Sequence, residues 1–87
     1  MVQKVMIKDE INSSLEMNTA ADDFLNQVNE IDDNEILIDF TGIVFISRSF
    51  AQAYFSKKNK LDKNIDEINV PDEVKPLMDL IKKKFEK

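Results

Sequence analysis

The chain of 87 residues contains no cysteine and no histidine. Without them there is no conventional zinc site, no Ser-His-Asp triad and no thiol nucleophile. Glycine occurs once, at Gly42, which excludes a P-loop and a dinucleotide-binding turn. No cysteine is present to staple the domain, so packing must hold it, and a chain this short buries only roughly 60–65% of its unfolded surface. No apolar run is long enough to span a bilayer, and no apolar leader opens the sequence. These absences lead us to expect one domain over residues 1–87, in the reducing environment of the cytoplasm, with no membrane segment, no cofactor and no enzymatic activity.

Positive charge is also in short supply. Seventeen acidic residues face twelve basic ones, for a net charge of −5. An acidic surface repels phosphate backbones, so no nucleic-acid partner is expected. The lysines that do cluster, at Lys57-Lys58, Lys60 and Lys82-Lys83-Lys84, fall where helices should end. There they complement the helix dipole. The run Asp32-Asp33-Asn34-Glu35 lacks the glycine and the alternation of a calcium loop and reads as a connection.

What is present is a clear alternation of periods. Val2–Ile7 predicts a first strand, and Asn12-Ser13-Ser14 a turn, with Leu15 and Met17 tucked beneath the next helix. Thr19 opens that helix. Thr19 and Asp22 have capping-box spacing, and Asp22-Asp23 place charge in the first turn. Ala20, Ala21, Phe24, Leu25, Val28 and Ile31 form its apolar face. Ile36–Phe40 predicts a strand covered by helices, with Asp39 as a polar anchor for the Thr41-Gly42 turn. Ile43–Ile46 is again extended and buried. Ser47–Leu61 predicts a second helix, Ile65–Val70 a third strand, and a last helix starts at Pro71 or, given a proline inside its first turns, at Pro76. This order predicts an α/β fold: a small βαβαβα sandwich with three helices on a mainly parallel or mixed sheet of three to four strands.

The strand-to-helix junction Ser47-Arg48-Ser49-Phe50 carries the functional expectation. Ser49 with Gln52 has capping-box spacing, and Ser47 is a second candidate cap. A phosphate on Ser49 would instead rest on the free N–H groups of the helix start. Arg48, the only arginine, stands beside it. Tyr54, the only tyrosine, either packs against the sheet or presents its hydroxyl to a partner.

The segment LIDFTGIVFISRSFAQ resembles the centre of STAS domains, the fold of anti-sigma-factor antagonists and sulfate-transporter tails. It is closer still to short STAS-like domains of unknown function whose helix opens with Ser-Phe-Ala, here Ser49-Phe50-Ala51. The ending IDEINVPDEVKPLMDLI resembles their last strand and helix, through Asn69 and Val74. In the antagonists the second serine of an Asp-Ser-Ser-Gly motif is phosphorylated by a kinase of the GHKL ATP-binding type. That serine falls on Ser49, the first serine on Arg48, the Asp on Ser47 and the Gly on Phe50. The resemblance implies a non-enzymatic interaction module in signalling, with Ser49 as phosphoacceptor. Ser47, Arg48, Phe50, Gln52 and Tyr54 would then contact an anti-sigma-like or GHKL-type partner. Two other readings remain open: a nucleotide or small-anion sensor that uses the same helix start, and a structural subunit that self-associates, for instance as a homodimer.

Overall fold

A computed structural model describes residues 2–85. Strand β1 (Val2–Met6) leads into a single helical turn, α1 (Ile7–Glu10), then the two-residue strand β2 (Ser14–Leu15) and helix α2 (Asn18–Asn29). Strand β3 (Glu35–Asp39), the short strand β4 (Phe45–Ile46), helix α3 (Arg48–Lys58), strand β5 (Asn64–Ile68) and helix α4 (Lys75–Phe85) complete the order. Among the described residues this is a small α/β protein with four helices and two sheets. The strands β1-β3-β5 form one parallel sheet, and β2-β4 form a separate parallel ribbon.

The strand order advances in one direction across the larger sheet. Right-handed crossovers then place α2 and α3 on the same face. The packing agrees: α2 lies against α3, and α3 against α4. Ile36 and Ile38 of β3 and Ile65 of β5 point into this helix layer and are buried. They meet Phe24, Leu25 and Val28 of α2, Phe50, Tyr54 and Phe55 of α3, and Met78 and Ile81 of α4 in one core.

Tyr54 is fully buried at the centre of that core. Its ring stands edge-on to Phe40 at 6.1 Å and to Phe55 at 5.0 Å, and stacks at 6.4 Å on Phe50. Its hydroxyl donates to Glu67 Oε2 at 2.8 Å, and Lys58 Nζ donates to the same oxygen at 2.8 Å. Glu67 therefore faces the helices, and α3 is tied to β5 by a nearly dry charged contact. Burial and then the Glu67 charge push the Tyr54 phenol well above its usual range.

Several local expectations need correction. Ser14–Leu15 is a strand, not part of a polar turn, because its backbone pairs with Phe45–Ile46. Leu15 is buried as expected, whereas Met17 is 66% exposed and precedes α2 as its N-cap. The helix starts at Asn18 with no side-chain cap, so the Thr19–Asp22 box does not form, and the first turn holds no acid. Ile43 and Ile46 are buried, but Val44 and Phe45 between them are 65% and 48% exposed. Pro71 opens a turn in which Val74 and Lys75 donate to its carbonyl, and the regular helix begins only at Lys75. Pro76, its second residue, sits where an N–H would have no partner within the helix.

Asp39 closes the central strand as the expected turn anchor. It is buried, and its carboxylate accepts from the Thr41 hydroxyl at 2.5 Å and the Thr41 N–H at 2.8 Å. Ile43 N–H donates to the Phe40 carbonyl across the turn, where Gly42 takes a φ of +84° that other residues rarely adopt. Lys4 adds an ion pair to Asp39 at 3.5 Å. The Thr41 hydroxyl is the largest influence on this carboxyl; it overcomes the cost of burial and, with the Thr41 N–H, Asn69 and Lys4, lowers the pKa from 3.8 to about 2.

Two predictions follow from these contacts. Because the folded pKa of Asp39 lies below its unfolded value, folding favours the ionised form. This contribution is complete above about pH 4 and is lost as the pH falls towards about 2. Asp39→Asn should therefore lower stability at neutral pH and flatten the acid limb of a stability–pH curve. Tyr54→Phe keeps the rings and deletes one hydrogen bond to a charged acceptor, so urea unfolding should show a loss of about 1.5–3 kcal/mol.

Candidate functional site

The junction at the start of α3 is built by one serine. Ser47 has an extended backbone (φ −84°, ψ 158°) and stands at the N-cap of α3. Its Oγ accepts from the Phe50 N–H at 3.0 Å and donates to the Glu16 carbonyl at 2.7 Å. Its own N–H donates to the Leu15 carbonyl at 2.8 Å, and its carbonyl receives the Ala51 N–H at 3.0 Å. One residue thus satisfies a free donor of α3 and fastens that helix start to the segment leading from β2 into α2.

This assignment separates the two serines. Ser47 forms the cap, so Ser49 is not the capping residue, and the Ser49–Gln52 box is corrected to Ser47 with the Phe50 N–H. Ser49 lies within the first turn and is exposed, as are its neighbour Arg48 and Gln52. Ser49 and Gln52 line a shallow hollow with Asn18, Ser56 and, from the end of α4, Lys84 and Phe85. The hollow therefore brings a lysine and the positive end of the α3 dipole to the side of Ser49.

Two of the proposed contact residues do not reach this surface. Phe50 and Tyr54 are fully buried, and the Tyr54 hydroxyl is committed to Glu67. Spacing along α3 already separates its two sides: Phe50 and Tyr54 lie one turn apart on the core stripe, and Ser49 and Gln52 lie off it. Sequence reasoning also missed three surface residues. Met17, Val44 and Phe45 are strongly exposed for apolar side chains. They lie along the β2–β4 ribbon, whose register sets Phe45 opposite Ser14 and whose end donates Val44 N–H to the Ser13 carbonyl. The run Ile43–Ile46 looked uniformly buried because all four residues are apolar. In the structure Val44 and Phe45 are exposed, while Ile43 and Ile46 on either side of them are buried.

Among the described residues no group of carboxylates, with no histidine or cysteine to help, is arranged to hold a metal ion. Among them, too, no helix is long and apolar enough to cross a membrane. No family model, no curated protein and no solved structure matches this chain.

The separation of roles is measurable. Ser47→Ala removes both side-chain bonds and should cost about 1–2 kcal/mol. For a domain of this size each kcal/mol corresponds to a fall in Tm of roughly 4–8 °C. Ser49→Ala should stay within about 0.5 kcal/mol of the parent in the same unfolding measurement. A loss in Ser49→Ala with none in Ser47→Ala would return the cap to Ser49.

Proposed function

We propose that the chain is a STAS-like, non-enzymatic interaction module that docks a protein partner at the β4–α3 junction, with Ser49 as the phosphoacceptor that switches docking. The observation that carries the reading is that Ser47 caps α3, which leaves the exposed Ser49 outside the capping bond. A serine that caps its own helix must give up that bond to be modified. Here the two tasks are divided between two residues.

Three further features support it. Exposed Met17, Val44 and Phe45 offer apolar docking surface along the ribbon that runs into Ser47. Arg48 and Ser49 add a polar margin to that surface. The order of a buried strand, a Thr-Gly turn, a short extended run and a serine-led helix is the one on which the STAS resemblance rests. A phosphate on Ser49 would sit near the helix N-terminus, within the hollow that Lys84 also lines, so the modified helix start would be electrostatically tolerated. The added charge of about −2 would oppose an apolar or acidic partner surface through repulsion and desolvation. A GHKL-type ATP-binding protein that acts as both kinase and partner fits this scheme.

The test is co-expression with such an ATP-binding protein, followed by intact-mass measurement and pull-down. The expected result is a mass gain of one phosphate that disappears in Ser49→Ala, and a complex that weakens in Ser49→Asp. Phe45→Asp should also weaken the complex without loss of fold. No mass gain together with unaltered binding by Ser49→Asp would remove the switch. A complex insensitive to Phe45→Asp would move the docking surface elsewhere.

A further inference from the structure

Strand β1 stands at one side of the larger sheet and pairs only with β3. A strand in that position presents a row of N–H and C=O groups along its outer edge. Among the described residues no backbone bond crosses the outer edge of β1. The strand at the other side, β5, carries Asp66 and Glu67, charge of the kind that discourages a further strand. β1 carries one charge, Lys4, and its ammonium is drawn to Asp39 on the face away from the helices.

The edge also has a wall beside it. Gln3 to Met6 form one side of a hollow of about 370 Å³, and Phe24, Val28 and Ile31 of α2 line the other. The hollow therefore follows the strand for most of its length. An extended chain laid there would complete its backbone bonds on β1 and rest alternate side chains on α2. At the Met6 end, Asp9 and Glu10 line the same hollow. A second hollow adjoins it, where Glu10 meets Asp23 and Gln27. Asp9, Glu10 and Asp23 are exposed and make no ion pair among the described residues. Lys8, next to Asp9 in the chain, lies over Gly42 instead.

These features fit one kind of occupant, an extended apolar segment with a basic end. We propose that the β1 edge is a docking groove for such a segment of a partner protein. The segment adds to the sheet as a strand antiparallel to β1, the more stable direction per residue. Its amino-terminal end then carries Lys or Arg side chains against Asp9, Glu10 and Asp23. A second copy of this chain does not fit. Pairing β1 with β1 about a two-fold axis sets the two α2 helices flank to flank. Asp23 and Glu30 share that flank with Gln27, so acid would face acid. The groove lies on the side of α2 away from α3, so this docking and that at the α3 junction can fail separately.

A ¹H–¹⁵N NMR titration of the full chain tests the proposal. The probe is a capped peptide of two arginines followed by alternating valine and threonine. The expected result is saturable amide shifts confined to β1 and the facing side of α2, with a dissociation constant below about 1 mM. The outward amides of β1 should also exchange more slowly with solvent. The same peptide N-methylated throughout its valine–threonine stretch should not bind, because it cannot donate to β1. Glutamates in place of the arginines should raise the dissociation constant about tenfold, and so should Glu10→Lys combined with Asp23→Lys. If circular dichroism shows that this double variant is not folded, the glutamate peptide decides the point. No shift at about 1 mM peptide overturns the proposal. So do shifts confined to other surfaces, undiminished binding of the N-methylated peptide, or binding indifferent to the charge changes. Shifts of the same amides with protein concentration alone would make the occupant a second copy, which overturns it too.

Discussion

A parallel three-stranded sheet whose order never reverses can carry its crossover helices on only one side. The rest of the molecule follows from this constraint. The order β1-β3-β5 gives the chain one helix layer and one core. A fold with a reversal in strand order would have a crevice between helices on opposite faces, the usual place for a ligand in open α/β sheets. None is created here. What the sheet offers instead is an exposed face on one side and, at the carboxyl end of β3, a turn whose polar groups are already engaged. Asp39, a buried carboxylate, is held by Thr41 and Lys4. It belongs to the scaffold, and its depressed pKa reflects that engagement rather than a reaction.

The second dependence is the contact between Tyr54 and Glu67. Glu67 occupies a helix-facing position on β5, where an apolar residue would be the ordinary choice. Its carboxylate is only 7% exposed, yet it receives both the Tyr54 hydroxyl and the Lys58 ammonium. A buried charge left with one partner is expensive, so α3 must seat in the rotation that brings Tyr54 and Lys58, one turn apart, to the same oxygen. That rotation turns Phe50, Ala51 and Phe55 into the core and leaves Arg48, Ser49 and Gln52 outside. The exposure of Ser49 is thus a consequence of how the far side of the same helix is fastened to the sheet.

How much of this the sequence discloses depends on whether the signal is periodic or relational. The helical stripe Ala21, Phe24, Leu25, Val28 and the apolar strand around Ile36 and Ile38 declare themselves through spacing, and both are buried as expected. So does the turn at Gly42, because only one residue in the chain adopts that backbone freely. The ribbon does not. Ser14–Leu15 is two residues long and polar at one end, and it becomes a strand only because Phe45–Ile46 lies beside it. The choice between Ser47 and Ser49 as cap is relational too. Both have suitable side chains, and the deciding partner is the Glu16 carbonyl, 31 residues away in the chain. Helix α2 shows the converse. Its sequence carries a capping pair at Thr19 and Asp22, but the chain enters the helix earlier, from the ribbon, so Met17 occupies the cap position and the pair has no cap to form.

These relational contacts converge on the same few residues. The segment Leu15–Asn18 supplies the carbonyls that hold Ser47, the exposed Met17 and the first turn of α2. Any partner that pressed on Met17 and Phe45 would therefore push on the segment that orients the α3 start. The coupling is short and physical: one hydroxyl bridges a carbonyl of that segment and an N–H of the helix. A phosphate on Ser49, as proposed, would act on the same helix turn from its solvent side. Docking and modification would thus meet at Ser47 even though neither needs to touch it, and the hydrogen bonds of Ser47 are the element through which each would sense the other.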